Sequence, residues 1–416
     1  MPPLKQAGGP IALVLAGGGA RGAYEIGALS ALLPALSPDE QPQIVIGTSV
    51  GAINAAYLAA HADESPTRMA EGGIELWQEI GYGNVLKPLA SLSEGARVLS
   101  YVREVLGSRR AHTYSLLDPS PLTRTLRRLI AFERIHANVR DGHLRTAAVV
   151  ATSGRTNTSV VFHDGGPSPS HDPLRGISYV DTELTEDHVR ASAAIPLAFP
   201  AVPIDAGEGR RWYFDGGTRL NAPIKPALSL GAGRAIVIAL NSLTPMEESR
   251  RDPRPDAVDG ATQLIQAVLV DPLVNDVHTL ATVNELLADG TEAKMRAHEA
   301  RTGKRRVPYI LIAPEDPSVI GRIASEVYRS HYRSPLALAR SPSLSTLGRL
   351  VNATKDASHG ELLSYLLFAQ EFAERLIELG REDAQRWLKE KHDHGRWQLK
   401  QLPAAHAART TARSAP

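Results

Sequence analysis

Residues 44–51 read Ile-Val-Ile-Gly-Thr-Ser-Val-Gly, and residues 11–22 before them read Ile-Ala-Leu-Val-Leu-Ala-Gly-Gly-Gly-Ala-Arg-Gly. Each is a short apolar run that stops at glycines, as a buried parallel strand does where it ends in a functional turn. Gly47-Thr48-Ser49-Val50-Gly51 has the G-x-S-x-G spacing of a nucleophile elbow. In that turn the serine is held at a tight strand-to-helix corner with its hydroxyl exposed. Only small residues two before and two after it let the backbone cross so closely. Ser49 is therefore a candidate nucleophile, and Gly47 and Gly51 are its elbow glycines.

Between the two runs, residues 20–36 carry Ala23, Ile26, Leu29, Leu32 and Leu33 at helical spacing, with Pro34 and Ser37-Pro38 marking the end. After the elbow, the alanine-rich stretch from Val50 to Ala60 makes a smooth helix able to pack close to a sheet. This βαβα opening predicts an α/β fold with crossover helices. Residues 64–142 read as irregular helices broken by Gly and Pro, with no chemistry of their own. Residues 146–152 and 158–163 are β-rich runs around Gly154-Arg155-Thr156-Asn157, which predicts a hairpin. Further strands are predicted at Trp212-Tyr213-Phe214, at 235–240 and at 309–312. The segment 191–200, Ala-Ser-Ala-Ala-Ile-Pro-Leu-Ala-Phe-Pro, is too interrupted for a long helix. Residues 245–260, rich in proline and charge, read as an exposed insertion. Residues 362–379 read as an amphipathic helix capped by Gly380. The expected organisation is a tail over 1–10, a core over 11–244, a mostly helical extension with one strand over 245–401, and a disordered tail over 402–416.

The totals narrow the function. A chain of 416 residues with 43% hydrophobic composition can bury a substantial core. Lys+Arg at 46 against Asp+Glu at 45 leaves a formal charge of +1, so no global field favours nucleic acid, and none is expected as a partner. The absence of cysteine excludes disulfides, thiolate nucleophiles and cysteine-ligated metals. The first ten residues lack the pattern of a signal peptide, and no apolar run reaches the ~18 residues of a membrane span. A cytoplasmic protein is expected, with peripheral contact to a membrane left open.

A serine at an elbow needs a base to take its proton and donors to hold the oxyanion formed on attack. The loop Gly17, Gly18, Gly19, Ala20, Arg21, Gly22 meets the second need, because successive residues without Cβ expose amide N–H groups and the following helix adds the positive end of its dipole. Gly17-x-Gly19-x-x-Gly22 also fits a dinucleotide fingerprint. That function wants an acid at the end of the second strand, where this chain has Gly47-Thr48-Ser49 instead. Asp215, which ends an aromatic strand before Gly216 and Gly217, is the candidate base, although Asp-Gly is also an ordinary turn. To act on serine its pKa has to be raised, which burial among Trp212, Tyr213 and Phe214 would do. Ile195, Leu197, Phe199 and Val202 form an expected acyl-chain wall, or ordinary core. Two rivals remain. One is an α/β-hydrolase-like esterase with a Ser-Asp-His triad, in which His278 follows Asp215 in the chain. The other is a non-catalytic lipid-binding regulatory module.

The glycine loop 17–22, the elbow 47–51 and Asp215-Gly216-Gly217 together, in that order, resemble the three signatures of patatin-like phospholipases. The segment 191–200 is similar to a stretch that bacterial members carry before the aspartate, and the helical C-terminal end resembles their C-terminal extensions. The resemblance covers about residues 11–240. It implies a three-layer fold, with a central, mostly parallel sheet flanked by helices and a largely helical C-terminal region. It implies a serine-aspartate dyad without histidine, Ser49 as nucleophile and Asp215 as base, the loop 17–22 as oxyanion hole, and cleavage of acyl esters in phospholipid or another lipid. No metal or organic cofactor is implied. Arg21 matches the basic position of the family's loop; from sequence alone it reads equally as a solvated residue at a helix start. Headgroup, acyl position, acyl acceptor, activating partner and oligomeric state are not implied.

Overall fold

The computed structural model describes residues 9–87, 117–205, 209–244, 254–267, 271–288, 292–302, 305–353, 355, 357–390 and 396–399. Residues 1–8 of the tail expected over 1–10 and the whole of the tail expected over 402–416 lie outside them, as do 88–116 and most of the 245–260 insertion. The described end of that insertion is ordered by a cap. The Asp256 carboxylate accepts the amides of Val258 and Asp259, and the helix Ala257–Ile265 starts there.

Among the described residues, the centre is one nine-stranded mixed sheet. Its strands are β1 (Ile11–Leu15), β2 (Ile44–Thr48), β3 (Thr146–Ser153), β4 (Ser159–Asp164), β5 (Ile177–Asp181), β6 (Val202–Asp205), β7 (Arg210–Asp215), β8 (Arg234–Ile238) and β9 (Tyr309–Ile312). The main path runs β5-β4-β3-β2-β1-β8-β9, with β1, β2, β3, β8 and β9 parallel. The predicted hairpin is the antiparallel pair β3–β4. Every residue of β1 is buried, and the strand's alternation divides them: Ile11, Leu13 and Leu15 belong to one core, Ala12 and Val14 to the other. Helices α1 (Ala23–Ala35) and α2 (Val50–Ala60) cover the first face, and Leu273, Val277 and Leu280 of the helix Asp271–Leu286 cover the second. The strand at 309–312 is β9, which extends this same sheet.

The chain runs from β1 to β2 and β3 on one side, then returns to lay β8 and β9 on the other, so the strand order reverses at β1. Ligand crevices form at the carboxyl ends of strands at such a switch point. The glycine loop follows β1 and the elbow follows β2 at that end, with Leu15 paired to Gly47.

Gly380 is not a helix cap. It lies inside the helix Gln370–Lys389, where a Cβ would stand 2.2 Å from the Tyr24 carbonyl of α1; across the same crossing, a Cβ on Gly27 would stand 2.1 Å from the Ile377 carbonyl. Both glycines therefore let two helices meet backbone to backbone, a use that a cap pattern in sequence mimics. Gly27→Ala and Gly380→Ala are each expected to lower stability by about 1–3 kcal/mol through overpacking, read as a fall in the urea midpoint at unchanged m. An unchanged midpoint would show that the helices can part at no cost.

Candidate active site

β2 and β7 share the edge of β3. β2 runs parallel to it up to the pair Thr48↔Val150 and then turns off into α2; β7 takes over at the next position, Ala151↔Asp215. The carboxylate is thus delivered to the point where the serine leaves the sheet. The Ser49 hydroxyl donates to Asp215 Oδ2 at 2.6 Å.

The elbow is strained. Ser49 has φ 54° and ψ −122°, outside the regions favoured by residues with a side chain. Gly47 and Gly51 make the corner possible. A Cβ on Gly47 would lie 2.0 Å from the Gly51 carbonyl oxygen, and one on Gly51 would lie 2.5 Å from that of Leu15.

Asp215 is buried, and burial pushes its carboxyl up to about 7, against the lowering effect of hydrogen bonds from Ser49 and the Gly217 amide. The expected rise is therefore present, but part of its expected cause is not. Tyr213 is buried on the same side of β7 as Asp215, while Trp212 points the other way and is 54% exposed. The Asp215 main chain is fixed as well, its amide donating to the Ala194 carbonyl at 2.8 Å and its carbonyl accepting from Thr152 and Thr218.

The glycine loop lies beside the serine, since a Cβ on Gly17 would be 3.1 Å from Ser49 Cβ. Its amides are not equivalent. That of Gly17 donates to Asn221 Oδ1 at 3.0 Å and that of Arg21 to the Gly18 carbonyl at 3.3 Å. Among the described residues, the amides of Gly18 and Gly19 meet no hydrogen-bond acceptor. Gly19 turns the loop with φ +60°, the left-handed conformation that favours glycine, and lines the cavity with Ser49. Ala20 and Gly22 belong to the short 3-10 turn that leads into α1.

A network that the sequence reading passed over holds this loop from below. Glu25 accepts the Ala16 amide at 2.8 Å and Asn54 Nδ2 at 2.7 Å, and Asn54 accepts the Trp77 indole N–H at 2.9 Å. Burial raises the Glu25 carboxyl to about 8, opposed by the hydrogen bonds from Asn54 and Ala16. The available signal was one amide in an otherwise apolar helix: Asn54 stands among Ala52, Ile53, Ala55 and Ala56.

Arg21 is not a solvated residue. It is fully buried and ion-paired to Glu361 at 3.1 Å, and it donates to Ser364, Asn241 and the Glu361 carbonyl while lying 3.7 Å from the centre of the Tyr365 ring. Through these contacts the helix Ala357–Leu366 presses on the glycine loop.

Above the serine opens a cavity whose wall is almost wholly apolar. Ile53, Trp77, Leu122, Leu126, Phe199 and Phe368 are among its lining residues. Described residues within 64–142, a stretch to which no chemistry attaches in sequence, thus supply much of the wall. Of the four expected wall residues, Ile195 and Phe199 line the cavity. Leu197 is 69% exposed at φ 69°, at the tip of a turn closed by the Phe199 amide on the Ile195 carbonyl, and Val202 is buried in β6 outside the cavity. Tyr365, Leu366 and Phe368 bring the C-terminal region into the wall. His278 lies on the helix Asp271–Leu286, and among the described residues no histidine hydrogen-bonds Ser49 or Asp215.

A sequence model of the patatin-like phospholipase family matches residues 13–228, which span the glycine loop, the elbow and Asp215. The chain belongs to the patatin-like phospholipase family. No curated protein sequence matches the chain. Similar solved structures include VipD from Legionella pneumophila, 13% identical with TM-score 0.33, over 91% of this chain and 66% of that one. Human GIVD cytosolic phospholipase A2 is 14% identical with TM-score 0.43, over 91% and 59%. Its complex with methyl gamma-linolenyl fluorophosphonate is 13% identical with TM-score 0.40, over 91% and 57%. This patatin-like chain therefore spans less than two thirds of the length of these neighbours. Among its described residues, no helix is long and apolar enough to cross a membrane.

Proposed function

We propose that this protein is a lipid acyl hydrolase of phospholipase A or lysophospholipase type, working through Ser49 and Asp215. The observation that carries the proposal is the direct 2.6 Å bond from a serine on a strained elbow to a buried carboxylate, at the floor of an apolar cavity. Asp215 takes the Ser49 proton as Oγ attacks the ester carbonyl carbon. The oxyanion is held by the amides of Gly18 and Gly19. The C–O bond to the alcohol then breaks, and the leaving oxygen takes the proton back from Asp215. Water attacks the acyl-enzyme with Asp215 again as base, and the fatty acid leaves with Ser49 restored. The cycle calls for no metal or organic cofactor. In this scheme residues 11–244 are the catalytic core, and residues 245–401 are the extension that completes the acyl wall. The substrate is drawn from a lipid surface that the protein touches peripherally.

A fluorophosphonate probe is expected to label Ser49, located by peptide mass spectrometry. A mixed lipid extract is expected to release free fatty acid with the native protein and none above background with Ser49→Ala. Absence of both would leave a lipid-binding module as the better reading.

The pH dependence follows from the raised carboxyl. Only ionised Asp215 can accept the proton, so kcat/KM should be flat above about pH 8 and fall about tenfold per unit well below pH 7. A profile flat down to pH 5 would remove Asp215 from the role of base.

A further inference from the structure

We propose that Ser192 is a positioning residue for this reaction, setting the distance between the Ser49 hydroxyl and the Asp215 carboxylate from a segment that touches both. The inference rests on the dyad proposed above. Ser192 is fully buried; its hydroxyl accepts the Ser49 amide at 2.9 Å and donates to the Val150 carbonyl at 2.5 Å. Val150 is the last β3 residue paired with β2, through Thr48. Beyond that pair a continuing strand would carry the ladder on, but the chain turns away at Ser49. The Ser192 hydroxyl fills the gap, with one lone pair on the Ser49 N–H and its proton on the β3 carbonyl, so the ladder is completed through a side chain. The elbow's strained corner is thereby pinned to the strand that also carries β7.

Two residues further on, the Ala194 carbonyl accepts the Asp215 amide at 2.8 Å. The stretch 192–194 therefore grips the main chain of both members of the dyad, and its own length is a fixed spacer between them. Gly216 leaves room for this. A Cβ there would lie 2.2 Å from the same Val150 oxygen that Ser192 bonds. The Ser49 amide, being taken by Ser192, is also withdrawn from any part in holding the oxyanion, which leaves that task to the glycine loop.

The test compares Ser192→Ala with native protein, with Ser49→Ala as the reference for loss of the nucleophile. Ser325→Ala serves as a control, since Ser325 is another buried serine that bonds a main-chain carbonyl, that of Ala353 at 2.8 Å. A displaced reacting group costs up to about 100-fold in rate. Ser192→Ala is therefore expected to lower kcat and the rate of fluorophosphonate labelling together by about 10- to 100-fold, with KM within about twofold. The Ser325→Ala control should lose stability without losing either rate. If alanine at 192 prevents folding, Ser192→Cys keeps the shape while weakening both hydrogen bonds, and a smaller loss of both rates is expected. A folded Ser192 variant with kcat and labelling within twofold of native would overturn the role. Activity surviving in Ser49→Ala would instead overturn the dyad on which it rests.

Discussion

Ser49→Ala is expected to lower ester hydrolysis by about 10⁴-fold or more, and Asp215→Asn by a comparable factor, because a nucleophile and its base act as one unit and either loss removes the covalent route. The two variants differ in a way that tests the physical account. Asp215 has its ordinary value of 3.8 in an unfolded chain and about 7 in the fold, where burial penalises the charge. Below about pH 4 the group is neutral in both states, and its full contribution to stability is present. As pH rises towards 7, the unfolded chain ionises it while the fold resists, so that contribution is lost, and the loss is complete above the folded value. The rise from 3.8 to about 7 corresponds to a penalty on the order of 4 kcal/mol at pH 8. Asparagine can keep the Gly217 hydrogen bond through its carbonyl and can donate to Ser49, while carrying no charge. Asp215→Asn is accordingly expected to be inactive and more stable than native at pH 8, by about 1–4 kcal/mol, with the gain vanishing near pH 4. Urea unfolding at the two pH values, beside hydrolysis of a soluble ester, reads both effects. An inactive variant whose gain over native is no larger at pH 8 than at pH 4 would mean that the carboxylate is better solvated than its burial indicates.

The parts of this site that were legible in sequence are those whose chemistry is local. Gly47, Ser49 and Gly51 are tied by one corner, and a Cβ at either glycine collides with main chain only a few residues away or on the adjacent strand. Asp215 was a candidate because it ends a strand before two glycines, a shape it shares with ordinary turns, and the resemblance to the family's third signature is what singled it out. The α/β order was legible because both faces of β1 and β2 are apolar and helices follow each. The supports of the site are of another kind. Ser192 meets Ser49 across 143 positions, Asn221 meets Gly17 across 204, and Arg21 meets Ser364 across 343. No periodicity or turn rule spans such distances, so a buried Arg21 and a solvated one look alike in sequence. The same holds for Gly380, whose close contact is with α1 and not with its own helix. Trp212 and Leu197 failed as burying groups because a strand alternates and a turn has a tip, and composition alone does not say which residue faces in.

Arg21→Met is the variant that asks whether the C-terminal region is part of the catalytic machinery. Methionine approximates the length of the arginine stem and removes the charge, leaving Glu361 buried without its cation. Breaking a buried ion pair from one side typically costs about 3–5 kcal/mol, because the remaining charge keeps its desolvation penalty and loses its partner. Arg21→Met is expected to lose about that much stability. It is also expected to lose about 10-fold or more in kcat, since in the proposed mechanism the Gly18 and Gly19 amides at the start of the 3-10 turn that carries Arg21 hold the oxyanion, and the helix Ala357–Leu366 would no longer hold that turn in place. Arg21→Lys should not rescue it, because one ammonium cannot reach Ser364, Asn241 and Glu361 together as the planar guanidinium does. The double variant Arg21→Met, Glu361→Gln separates the two effects: with no charge left unpaired, most of the stability should return, while kcat should stay low because the loop is still unanchored. Stability and kcat returning together would mean that the ion pair serves folding only. An Arg21→Met protein within about 1 kcal/mol of native stability would mean that water reaches Glu361 and that the clamp is not closed in solution.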